Sequence, residues 1–121
     1  MAGGLRRSAA EGSALQAAKA RLDRLDYYPR PVALRRSVRI LTVPWLFALP
    51  WFRRFDGYTM WDLILLRAPL ADVSADLVCH ELCHVWQMQH RPIAMPLSYL
   101  TRGYAANPYE LEARRAVAAT A

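Results

Sequence analysis

The sequence predicts an α+β fold in which a small antiparallel or mixed sheet packs against three to four helices. Apolar runs at 38–43 and 58–67 are typical of strands. Residues 73–91 contain neither Gly nor Pro, which favours one long helix. The chain has 121 residues, so we expect a single domain with one modest core.

The first expected element is an amphipathic helix preceded by a flexible stretch. We expect residues 1–12 to be flexible and the domain to occupy residues 13–121. Ser13, followed three residues later by Gln16, has the pattern of a capping box and predicts the helix start. Residues 27–32, which include two prolines, predict a linker. Apolar residues recur on one face of the helix, at Leu15, Ala18, Leu22 and Leu25.

Two strands are expected after the linker, at 38–43 and 58–67. Between them, Asp56-Gly57 is a dipeptide that favours a hairpin turn. No internal repeat interrupts this part of the chain, so the strands and the following helices should form one small sheet-and-helix unit.

An arginine-rich segment, 30–54, contains an apolar run at 40–52. The formal net charge of the chain is +6, and no acidic residue occurs between Asp26 and Asp56. The run is too short, and too often interrupted by proline, to cross a bilayer. We expect its aromatic residues to pack over the sheet, because a domain this small needs them in its core. The alternative is that the segment binds an anionic membrane surface, whereas composition alone does not indicate nucleic-acid binding.

The long helix predicted at about 73–89 carries the sequence H-E-L-C-H at positions 80–84. Asp72 or Ser74 can cap its amino end, and Asp76 suits the first turn, where an acid favours the helix dipole. Apolar residues cover both sides of this helix. It should therefore be central and buried.

The spacing of this run predicts a zinc site. His80 and His84 are four residues apart, so both imidazoles lie on one helical face and can reach one Zn²⁺ ion. Glu81, about 100° around the same turn, is placed to accept a proton from water. The structural alternative is two core histidines with Glu81 in an ion pair. A metal is favoured because three buried polar groups on one helical arc are hard to satisfy without a cation.

A catalytic zinc usually has three protein ligands and a water molecule, so a third ligand is needed. His90 lies ten residues after His80, but a straight helix rotates it about 80° away. Asn107, followed by Pro, predicts the start of another helix, on which Glu110 shares its side with apolar residues and Glu112 faces the opposite side. Glu110 is therefore the preferred ligand, with Glu112 and His90 as alternatives.

Together with the H-E-x-x-H run, the segment E-L-E-A-R at 110–114 resembles the gluzincin-type zinc metallopeptidases. It is similar to the Glu-x-x-Ala-Asp signature of membrane-embedded zinc endopeptidases and to the Asn-Pro-(aromatic)-Glu-x-Glu-Ala signature of small H-E-x-x-H domains. The resemblance implies a zincin-like fold and a peptide or protein substrate. It also implies zinc bound by His80, His84 and Glu110, with Glu81 as the general base.

The chain departs from the membrane-embedded endopeptidases at Arg114, which stands where they have an Asp that supports a His ligand. Support is expected instead from Asp76 or Glu112 in the second layer around the metal. In gluzincins the strand before the His helix borders the cleft. The resemblance therefore implies that residues 60–67 hold this place and pair with an extended peptide.

A competing function is a non-catalytic module in which zinc only stabilises a small domain. Structural zinc sites are closed by four protein ligands, so a fourth ligand such as Cys83 or His90 would indicate it. Segment 30–54 would then bind a membrane, nucleic acid or protein partner. An enzyme instead needs a donor to the oxyanion, for which Tyr104 and Tyr109 are the candidates.

The two cysteines are expected to be free thiols. A disulfide between Cys79 and Cys83, four residues apart in a helix, would be strained, and no apolar signal segment precedes them. They therefore predict a reducing, cytoplasmic location. Core packing is favoured for Cys83, because it lies about 100° from His84 around the helix.

Overall fold

The computed structural model describes residues 7–121 of the chain. Within that range, four α-helices accompany a three-stranded mixed sheet, which confirms the α+β class. The helices are α1 (Ala9–Leu22), α2 (Ala75–His90), α3 (Ala94–Arg102) and α4 (Pro108–Thr120). The strands are β1 (Arg39–Thr42), β2 (Gly57–Met60) and β3 (Leu63–Leu66), and short 3-10 turns lie at Leu46–Ala48 and Leu70–Asp72.

The fold has three layers: helices, sheet and loop. α1 and α4 both pack against α2, and α2 packs on the inner face of the sheet. Ile40 and Ile64 of that face share a core with Leu82 of α2. The loop between β1 and β2 covers the outer face, where Phe47 packs with Leu65. α2 therefore lies in the centre of the domain, as its two apolar sides predict.

The hairpin of the sheet lies at a different place from the one expected. The strand order is β1-β3-β2, with β1 parallel and β2 antiparallel to β3. The single strand expected at 58–67 is wrong, because the chain reverses at Trp61 and Asp62. Trp61 takes a left-handed φ of 51°, which sequence patterns assign to Gly or Asn. Asp56-Gly57 leads into β2 and is not a hairpin turn.

The edge strand beside α2 is β2. Most of the range 60–67 is β3, the central strand, so it does not supply the edge that was expected to border the cleft and pair with a peptide. The amide of Arg67 donates to the carbonyl of Asp56. Because hydrogen-bonded pairs alternate along an antiparallel ladder, the backbone groups of Tyr58 and Met60 make the next hydrogen bonds to β3. The backbone N–H and C=O groups of Gly57 and Thr59 therefore point away from the sheet.

The first helix begins earlier than expected. Ser8 caps α1 by accepting a hydrogen bond from the amide of Glu11, so the start expected at Ser13 is wrong. Ser8 and Glu11 also have the capping-box spacing. The Glu11 carboxylate turns inward, where the amide of Ile40 donates to it at 2.7 Å and joins α1 to β1. Of the stretch expected to be flexible, residues 1–6 lie outside the described residues.

The aromatic residues of segment 30–54 divide between core and surface. Phe47 is buried and Phe52 packs beside it, which confirms the packing expected over the sheet. Trp45 and Trp51 are 69% and 75% exposed, so for them that expectation is wrong. Among residues 7–121, no helix is long and apolar enough to cross a membrane.

Candidate metal centre

Two helices bring the three predicted ligands together. Ser74 caps α2 by accepting from the amide of Leu77, and the helix then presents His80 and His84 one turn apart. Asn107 caps α4 in the same way, which sets Glu110 in its first turn. Asn107 is itself buried and donates to the hydroxyl of Ser98 on α3. Local capping therefore fixes where each ligand side chain starts.

The Glu110 carboxylate lies between the two imidazoles. His80 Nε2 is 2.9 Å from Glu110 Oε2, and His84 Nε2 is 3.1 Å from Glu110 Oε1. One ligand atom from each residue lies within 4.8 Å of the others, so this group can hold a metal ion. Two imidazole nitrogens and one carboxylate oxygen form the donor set of many catalytic zinc sites.

The hydrogen bonds of Gln87 orient His84 for this role. Gln87 Nε2 donates to the carbonyl of Tyr109 and to Glu112, so its Oε1 is left as an acceptor. His84 Nδ1, 2.7 Å away, must therefore be the donor. Because Nδ1 keeps its proton, Nε2 is the atom that would offer a lone pair to a metal in the cluster.

The charges of the cluster are coupled. Burial raises the pKa of Glu110, but hydrogen bonds from His80 and His84 lower it more, and the net shift is well below the ordinary value of 4.5. Burial lowers the pKa of His84, but the hydrogen bond to Glu110 and the charge of Glu81 raise it above 6.5. Both shifts favour a proton on His84 facing the Glu110 carboxylate when no metal is bound. A cation bound between the same atoms would displace that proton.

Glu81 is held beside the cluster by the edge strand. It is only 4% exposed, and the Thr59 hydroxyl donates to its Oε1 at 2.6 Å. Gly57 lies against the same carboxylate: a Cβ at this position would be 3.2 Å from Cγ, Cδ and Oε2 of Glu81. The strand can approach this closely because residue 57 has no side chain.

Two cavities meet at Glu81. An open cavity of about 810 Å³ is lined by His80, Glu81 and Glu110, with Arg54 and Arg114 on its walls. A smaller cavity of about 80 Å³ lies on the other side, lined by His84 and by apolar side chains. Glu81 and Gly57 line both cavities, so β2 runs past the cluster from one to the other.

The two candidate oxyanion donors lie in different places. Tyr104 lines both cavities, and burial followed by the charge of Glu110 raises its pKa, which keeps its hydroxyl protonated. Tyr109 lines a separate groove with Tyr28. Tyr99, which the sequence analysis did not single out, lines the small cavity near His84, with 6.4 Å between ring centroids.

The two candidates for outer support also differ in position. Asp76 lies on the cavity rim, where it pairs with Arg21 at 2.9 Å. Glu112 touches no ligand directly, but it accepts from Gln87, the residue that holds His84. Gln87 was missed from the sequence. A glutamine one turn after His84, on a helix that is apolar on both sides, was the available signal.

The remaining candidates lie outside the group of three. His90 Nδ1 is 3.1 Å from the carbonyl of Trp86, and its ring stacks on Tyr28. Cys83 is buried in the core with a raised pKa, caused mainly by burial, and both cysteines are free. Arg114 Nε lies 3.4 Å from Glu110 Oε2, so a cation borders the cluster where the resembled family has an acid.

Comparison with protein-family models, with curated proteins and with solved structures finds no match to this chain. What the chain does must therefore be inferred from the residues of the site.

Proposed function

We propose that this protein is a zinc-dependent metallopeptidase, a minimal member of the gluzincin type with a zincin-like fold. His80, His84 and Glu110 would hold the zinc, and Glu81 would be the general base. The observation that carries the proposal is the meeting of α2 and α4 at the Glu110 carboxylate, with Glu81 buried beside it at the edge of an open cavity.

The ion would supply Lewis acidity, lowering the pKa of a water molecule to about 7 and polarising the scissile carbonyl. Proton transfer would be carried out by the protein's own side chains. Glu81 accepts a proton at its carboxylate and passes it to the leaving amine. Thr59 fixes this carboxylate through Oε1, leaving Oε2 as the proton acceptor on the side of Gly57.

β2 is the edge strand beside Glu81 and the place where a peptide substrate would pair, although Gly57 and Thr59 are themselves buried. The backbone N–H and C=O groups of Gly57 and Thr59 point outward, and both side-chain positions adjoin Glu81. An extended peptide paired with these groups would pass between the two cavities and across the cluster. We therefore propose for β2 the role that the resemblance implied for residues 60–67.

Tyr104 is the better candidate for the donor to the oxyanion. It lines both cavities and shares the larger one with Glu110, while Tyr109 lies in a separate groove. A phenol that stays protonated can donate to a developing negative charge without losing its proton. We therefore assign this role to Tyr104.

The site favours an enzyme over the non-catalytic module. In the described part of the chain, the ligand group contains three residues, and neither Cys83 nor His90 belongs to it. A site with three protein ligands leaves a coordination position open for water. Segment 30–54 still exposes Trp45 and Trp51, so a binding surface could accompany the enzyme there.

Hydrolysis of an unfolded protein such as casein by the zinc-loaded chain tests the proposal. Glu81→Gln keeps the size of the side chain but cannot accept the proton, so this variant should retain zinc and lose hydrolysis. Wild-type protein that holds zinc but cleaves nothing across a broad peptide library would contradict the proposal, as would full activity in Glu81→Gln.

A further inference from the structure

A stripe of exposed apolar residues runs along α3. Ile93, Leu97 and Leu100 are 75%, 52% and 83% exposed. Their spacing of four and three residues places them on one helical face. Single exposed apolar residues are common, but an aligned set marks a surface that binds something.

The tip of the hairpin extends this surface. Trp61 is 52% exposed, and its indole N–H donates to the carbonyl of Pro92 at 3.1 Å, next to Ile93. Met60, also exposed, precedes it in the chain. We call these five residues the α3 patch: Met60, Trp61, Ile93, Leu97 and Leu100. A tryptophan with its polar N–H satisfied and its ring exposed suits the interface between water and lipid.

The charge beside the α3 patch is positive. Arg91 and Arg102 stand at the two ends of α3, and with Leu97 they line a groove of about 600 Å³. Neither arginine forms an ion pair within residues 7–121, and the sequence has no acid between Glu81 and Glu110. Glu112 at the wall of the groove already accepts bonds from Tyr28 and Gln87. The two arginines are thus available to an external anion.

We propose that the α3 patch docks on an anionic phospholipid bilayer. Its apolar side chains would enter the interface, while Arg91 and Arg102 meet lipid phosphates. A second copy of the chain fits less well, because a symmetric contact would gather four like charges from two copies without a counter-charge. The helix is too short to span the bilayer, so it would lie in its surface.

Docking there would place the candidate active site at the membrane. Met95 and Tyr99, on the opposite side of α3, line the small cavity beside His84. One short helix thus separates the bilayer from that cavity. If the proposed peptidase activity holds, its substrates would be peptide segments at a membrane surface, but the docking itself needs no catalysis.

Flotation with vesicles tests the inference. Phosphatidylcholine vesicles containing phosphatidylserine should carry the full chain upward at low salt, less of it at high salt, and vesicles of phosphatidylcholine alone should carry little. Ile93→Ser with Leu100→Ser should lower binding by about tenfold or more. Both positions are exposed, so the melting temperature should not change. The comparison variant is Trp45→Ser with Trp51→Ser, which removes similarly exposed side chains from segment 30–54, the surface that the alternative in the sequence analysis would use.

Several outcomes would overturn the inference. Wild-type protein that stays unbound to the anionic vesicles would overturn it, as would binding that is lost in the Trp45/Trp51 variant and kept in the α3 variant. Self-association abolished by Ile93→Ser and Leu100→Ser would assign the patch to a second copy instead. Because zinc content and casein hydrolysis are measured without lipid, failure here is separable from failure of the proposed function.

Discussion

At the residue scale, the position of Glu81 depends on two residues of β2. Thr59 donates to one carboxylate oxygen, and Gly57 leaves room for the other. A buried carboxylate without such contacts would move or take up a proton, and either change would remove a base. The geometry of the candidate base therefore rests on the edge strand as much as on its own helix.

Gly57→Ala should damage activity more than stability or metal binding. The new methyl group would lie 3.2 Å from the Glu81 carboxylate, which must shift by a few tenths of an ångström. Small misplacements of catalytic groups are costly, so we expect kcat/KM to fall about tenfold or more with zinc content unchanged. The control is Gly12→Ala in α1, where no atom lies within 4 Å of the added carbon. Equal activities in the two variants would remove Gly57 from the account.

At the element scale, α2 carries both histidine ligands and also Gln87, which bonds to one of them. Gln87 is fully buried and connects His84 to the start of α4 through the carbonyl of Tyr109. The same side chain thus orients a ligand and joins the two helices that supply the metal site. Its loss would leave the buried Nδ1–H of His84 without its acceptor.

Gln87→Ala should weaken zinc binding about 10- to 100-fold, because it removes the group that fixes the His84 ring. Gln89→Ala is the matched control on the same helix. Gln89 bonds to the backbone of Ala33 and lies away from the ligands, so its loss should leave zinc affinity unchanged. Competition with a chromogenic chelator gives both affinities, and equal values would show that Gln87 does not support the site.

The sequence predicted those elements that depend on local chemistry. Helix caps and periodic apolar residues place α2 and α4, and the four-residue spacing of His80 and His84 puts them on one face, where the packing of α4 on α2 adds Glu110. The hairpin at Trp61 was missed because Asp62 was the only turn signal there, and the left-handed backbone of Trp61 is one that sequence patterns assign to Gly or Asn. Thr59 and Gly57 were missed because their contacts with Glu81 arise only when β2 meets α2.

At the scale of the whole molecule, the metal would join α2 to α4 across the core. An ion that binds only the folded state stabilises it by mass action, about 2.7 kcal/mol at a free concentration 100 times Kd. Removing zinc with a chelator should therefore lower Tm by several degrees or more, since each kcal/mol is worth about 4 °C in a small domain. A Tm that does not change after confirmed metal removal would show that the fold does not depend on the ion.

The gap in Tm between zinc-loaded and chelated protein should widen as pH rises from 6 to 8. In the chelated protein, the raised pKa of His84 contributes stability that is complete below pH 6.5 and is lost as pH rises through the raised value. The lowered pKa of Glu110 contributes stability above pH 4.5 that persists through this window. The stability contributed by bound zinc increases with pH, because protons compete with zinc for the ligands at low pH. Thermal melts across this range measure the gap, and a constant gap would contradict the linkage.

The most direct test of the central claim is the zinc content of four purified proteins. The wild type should hold one zinc per chain, because His80, His84 and Glu110 form a single ligand group. His84→Ala and Glu110→Ala should lose it, while Glu112→Ala, a carboxylate on the same helix that touches no ligand directly, should keep it when zinc is saturating. Zinc absent from the wild type, or retained by Glu110→Ala and lost by Glu112→Ala, would contradict the site.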